Sequence, residues 1–110
     1  MPQNKIIYEV NLSVQKEIDH AYKDWLSGHV EEMLRIDGFE KAEIAESETG
    51  PDSSDTEFSV RYTLSSAGHL KHYCDHYAEK MRGDGLARFN GQFAASRRVL
   101  KLSQIMVSES

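Results

Sequence analysis

Residues Ile6 to Val14 read IIYEVNLSV, and their alternation decides the fold. Ile6, Tyr8, Val10, Leu12 and Val14 are apolar and point one way. Apart from Ile7, the opposite face carries Glu9, Asn11 and Ser13. Period two marks a strand with one face on a core and the other on water or a polar cavity.

Beyond this strand the period changes. From Gln15 or Lys16 to about Ile36, Ile18, Ala21, Tyr22, Trp25, Leu26, His29, Val30 and Met33 recur every three or four positions, the stripe of an amphipathic helix. Gly28 inside it costs about 1 kcal/mol against alanine. Asp37-Gly38 is expected to end it with a left-handed glycine. Phe39 to Glu48 reads as a weaker, charge-rich edge strand with Ala42 and Ile44 as apolar alternates. The turn-rich run 49–55 follows. Thr56 to Leu64 is a clear strand with Phe58, Val60, Tyr62 and Leu64 inward. Ser65 or Ser66 caps a second helix to about Arg82, with Ala67, Leu70, Tyr73, Cys74, Tyr77 and Met81 as its stripe. Gly83-Asp84-Gly85 is expected to break that helix, leaving a turn of helix at Leu86 to Phe89 and a turn at Asn90-Gly91. Phe93 to about Leu102 is the last strand.

The order βαββαβ, with right-handed crossovers, gives an α+β, ferredoxin-like fold. Two helices lie on one face of a four-stranded antiparallel sheet whose first and third strands are central. At 110 residues the chain is one domain, 1–110, with a core of about 5–102 and a loosely held tail 103–110. A net charge of −5 argues against nucleic acid or an acidic membrane as partner. No apolar run is long enough to span a membrane, and the start is not a secretory signal. Cys74, the only cysteine, excludes an internal disulfide and points to the cytoplasm.

Several stretches resemble an uncharacterised bacterial family, domain-of-unknown-function family 4286. They are IIYEVNLSV, WLSGHVEEML, VRYTL and HYCDHYAEKMRGDGLARFNGQFAASRRVL, nearly the whole chain. The matching pattern residues are Trp25, His29, His76, Arg88, Phe89, Phe93 and Arg97. The family usually continues after the first-helix histidine with Ile-Pro, where this chain has Val30-Glu31. The resemblance implies a dimeric α/β barrel, hence a homodimer, and no established activity.

Candidate site residues fall into two groups. Glu9 and Asn11 on the first strand should face Arg61 on the third, and Arg97 or Arg98 on the fourth. Adjacent strand positions point to opposite faces, so only one of those two arginines can join. Such acid–base pairs are ordinarily structural. Under a second subunit they would line a polar chamber suited to a small anionic or oxygenated ligand. His29, one turn from Trp25, is either a hydrogen-bonded core histidine or a general base or ligand donor between helix and sheet. His72 and His76 have i,i+4 spacing that could chelate a metal, but no HExxH pattern accompanies them and no metal is expected. Cys74 reads as buried and inert. No nucleophile triad, phosphate loop or mark of haem or flavin is present, so no cofactor is expected.

Two functions remain open. One is a small homodimeric protein that binds or transforms a small organic ligand without a bound cofactor, using Glu9, Asn11, Trp25, His29, Arg61 and Arg97, with His29 the catalytic candidate. The other is a non-catalytic dimerisation or interaction module.

Overall fold

A computed structural model of the chain describes residues 4–48 and 55–109. All of the expected loop 49–55 except Asp55 lies outside the described residues. Strand β1 spans Ile6–Gln15, and a turn of 3-10 helix, Lys16–Ile18, leads into helix α1, Asp19–Met33. Strands β2, Phe39–Glu46, and β3, Asp55–Leu64, follow. Helices α2, Ala67–His76, and α3, Ala78–Phe89, precede strand β4, Phe93–Lys101. All strand pairs are antiparallel, in the order β2-β3-β1-β4, which is the ferredoxin-like sheet with the first and third strands central.

Register assigns the faces. Tyr8 lies opposite Tyr62 and Val99, and Val10 opposite Val60 and Arg97, all on the helix side. Glu9 lies between Arg61 and Arg98 on the other face. One cluster of buried residues joins the inward strand positions to Tyr22, Leu26, Val30 and Met33 of α1 and to Leu70, Tyr73, Ala78, Met81 and Phe89 of α2 and α3. Burying a side chain of leucine or phenylalanine size stabilises by about 1.5–3 kcal/mol. Strand β4 is exposed along most of its length, Val99 included.

The helices depart from expectation in three places. Helix α1 ends at Met33 rather than Ile36, and Gly38, at φ +90°, turns the chain into β2 instead of capping the helix. A Cβ there would also meet the His69 ring within 2.4 Å. Ser66 caps α2 as expected, accepting from the His69 N–H at 3.3 Å. The helical break, however, lies at Tyr77, and Gly83-Asp84-Gly85 sits inside α3. The break lets the buried stripe step five residues, from Tyr73 to Ala78. Cys74 and Tyr77 therefore rotate outward, and Cys74 is an exposed thiol, not a buried one. Ala21 and Ala67 are also exposed. Gly85 remains helical because its bare face is needed: a Cβ would stand 3.0 Å from the Trp25 indole.

Candidate functional site

On the open sheet face the polar candidates satisfy one another. Glu9 accepts from Arg61 Nη2 and from Arg98 Nε, each at 2.8 Å, and from Asn11 Nδ2 at 3.1 Å. Arg98, not Arg97, is thus the fourth-strand partner. The Arg98 and Arg61 hydrogen bonds hold the Glu9 carboxyl down at about 2. Every strong donor in this group is committed to one carboxylate, which is the arrangement of a structural network.

The same face carries a trough of about 570 Å³, bordered by small side chains: Ser13, Ala45, Ser59, Ala94 and Ser96. Its lining holds no cluster of convergent charged donors.

The helix side is different. Trp25, His29 and Arg97 meet around a cavity of about 50 Å³ between α1, α3 and the sheet. Its volume has room for roughly four waters, at about 10–15 Å³ each. Trp25 and His29, one helical turn apart, stack with ring centres 4.7 Å apart. Phe89 closes against Trp25 at 5.8 Å, and Phe93 against Tyr22 at 5.2 Å. Burial lowers the His29 pKa, against the opposing pull of Glu32 and Asp84, so the imidazole is neutral near pH 7 and can accept a proton.

Other residues complete the cavity. Tyr8, Tyr22, Tyr62, Tyr73 and Arg82 line it. Arg82 Nη2 donates to the Tyr8 hydroxyl at 3.1 Å. The Tyr22, Tyr62 and Tyr73 hydroxyls have no hydrogen-bond partner among the described residues. No fully inaccessible side-chain polar atom among the described residues lacks one, so each of these hydroxyls keeps some accessible surface. Burial pushes Tyr22 up to about 12 and raises Tyr62 and Tyr73 as well, keeping all three as neutral donors. The sequence held one signal for this lining: four tyrosines, Tyr8, Tyr22, Tyr62 and Tyr73, at inward positions of β1, α1, β3 and α2, each with a polar tip a core must accommodate.

The six candidates therefore do not form one site. Trp25, His29 and Arg97 lie on the helix side of the sheet, whereas Glu9, Asn11 and Arg61 lie on its other face. Of the family-pattern residues, Trp25, His29, Phe93 and Arg97 line the cavity, and Phe89 packs behind Trp25 and Tyr22. His76 is exposed on α2, its ring 4.6 Å from that of His72, and Arg88 packs over Phe89. Among the described residues no group of three or more His, Cys, Asp or Glu is placed to hold a metal. No described helix is long and apolar enough to cross a membrane.

The strand order and the helices on one sheet face are those of a ferredoxin-like α+β fold, shared with solved structures provisionally described as antibiotic biosynthesis monooxygenases. The chain belongs to the family described as Domain of unknown function (DUF4286), which matches residues 5–103. No curated protein matches it. Among solved structures it is similar to a protein from Deinococcus radiodurans provisionally classed as an antibiotic biosynthesis monooxygenase. They share 12% identity over 96% of this chain and 99% of that one, with TM-score 0.74. It is also similar to SnoaB, a cofactor-independent oxygenase from Streptomyces nogalater, at 7% identity over 96% and 99%, TM-score 0.70. A dimeric ferredoxin-like protein from an uncultured marine organism matches at 11% identity over 94% and 100%, TM-score 0.72. At these identities the likeness is one of fold.

Proposed function

We propose that the protein is a small homodimer that binds or transforms a small organic ligand in the helix-side cavity, without a bound cofactor. The observation that carries this reading is the meeting of Trp25, His29 and Arg97 with three unpartnered tyrosine hydroxyls around one cavity. A plain core would fill that space with apolar side chains and leave no donors facing it. Neutral His29 supplies a group able to take or return a proton beside a bound molecule. SnoaB being a cofactor-independent oxygenase is in keeping with chemistry done by side chains alone, as an analogy of fold.

The other reading, a dimerisation module without chemistry, draws on the uncovered sheet face with its trough of small residues. The two are compatible if Glu9, Asn11 and Arg61 serve the subunit interface. A thermal-shift screen of small organic molecules separates them, because a ligand that binds only the folded state raises its melting temperature. The expected result is at least one hit whose stabilisation disappears in His29→Gln while circular dichroism shows the fold retained. A screen with no hits, or hits indifferent to His29→Gln, would leave the interaction module as the better reading.

A further inference from the structure

Two exposed arginines border the helix-side cavity. Of its lining residues only Arg82 and Arg97 are exposed, the others being buried or half-buried. Among the described residues neither guanidinium reaches a carboxylate at ion-pair distance. Across the sheet, by contrast, Arg61 and Arg98 are both committed to Glu9. Arg97 lines the cavity from β4, on the same sheet face as Val10 opposite it. Arg82 is held at the cavity border by the Tyr8 hydroxyl. The nearby acids, Asp24, Glu32 and Asp84, border a separate depression of about 230 Å³ that shares only the Trp25–His29 wall, and Asp84 is paired with Lys80. The cavity is thus cationic at its exposed border, lined by hydroxyl donors within, and small.

On the reading that this cavity is a ligand site, we infer that its ligand is a short organic carboxylate carrying a second oxygen, of the 2-hydroxy or 2-oxo acid class. The carboxylate sits between Arg82 and Arg97, whose planar forks match its two oxygens. The second oxygen reaches inward and accepts from the tyrosine hydroxyls, which otherwise lack a protein partner. The limited volume favours a chain of a few heavy atoms over a fused ring system.

Calorimetric titration of the full chain with three probes tests this. L-lactate has both features, propionate lacks the second oxygen, and lactamide lacks the charge. Lactate is expected to bind tightest, with propionate weaker by about tenfold or more and lactamide weaker still, since a site built around polar groups rejects analogues that leave them unpaired. Arg97→Gln is expected to cost lactate about tenfold or more, in the range of a lost charge-assisted hydrogen bond. Arg97 is exposed and without a carboxylate partner, so its replacement should leave the fold intact, as circular dichroism can verify. Tyr62→Phe should narrow the gap between lactate and propionate. Lactamide binding as tightly as lactate would overturn the inference and leave the ligand reading standing. So would silence toward all three probes when the thermal screen yields only uncharged hits. Silence toward all three with an empty screen would remove both.

Discussion

Glu9 is only 5% exposed although no helix of its own chain covers its face of the sheet. Arg61, Arg98 and Asn11 wrap it, and Arg98 followed by Arg61 keeps the carboxyl ionised down to about 2. In the unfolded chain the same group titrates near 4.3, as a free glutamate does. Below that value the unfolded state binds the extra proton, so the stabilisation is complete above about 4.3 and is lost as pH falls through about 2. The urea midpoint of the wild type should therefore fall between pH 4.5 and 2 more steeply than that of Glu9→Gln. Parallel slopes would mean that the network does not act on folding. The register of β1 already called for one arginine here, and only the pairing itself decided between Arg97 and Arg98.

At the scale of elements, the two helical segments show which glycines matter. Gly28 in α1 and Gly83 in α3 have nothing within 4 Å of where a Cβ would stand, whereas Gly85 would press on Trp25 at 3.0 Å. Gly28→Ala and Gly83→Ala should each stabilise by about 0.5–1 kcal/mol through helix propensity and reduced unfolded-chain freedom. Gly85→Ala should forfeit that gain and displace the indole, lowering the denaturant midpoint or shifting Trp25 emission. Equal gains at all three positions would contradict the close approach of α3 to Trp25. The strands were legible in the sequence because period two has one reading once Tyr8, Val10 and Leu12 alternate with Glu9 and Asn11. The second helix was not, because its stripe changes phase at Tyr77 with no glycine or proline to mark it. The same slip hid the exposure of Cys74 and the contact of Arg82 with the Tyr8 hydroxyl. Trp25, His29 and Arg97 were each visible as candidates, but their separation from Glu9 and Arg61 needed the register of β4.

Across the described molecule, one sheet face is covered by helices and the other carries the Glu9 network, the trough of small side chains, and Ile7, Thr63 and Leu100. Ile105, Met106 and Val107, beyond β4, are 74%, 85% and 84% exposed. Three consecutive large apolar side chains and an uncovered sheet face fit a surface shared with a second copy. Light scattering at micromolar concentration should give twice the 12.5 kDa chain mass, and Ala94→Glu, which puts a charge in the trough, should give monomer with the fold retained. A wild-type monomer, or a variant that stays dimeric, would count against an interface on that face. The central claim, that ligands enter between helices and sheet, has a built-in reporter. Trp25 is the only tryptophan and lines the cavity with its ring stacked on His29. Any compound that raises the melting temperature should change Trp25 emission saturably, with a midpoint matching its binding constant. A stabilising compound that leaves Trp25 emission unchanged at saturation binds elsewhere, and the helix-side cavity is then not the site.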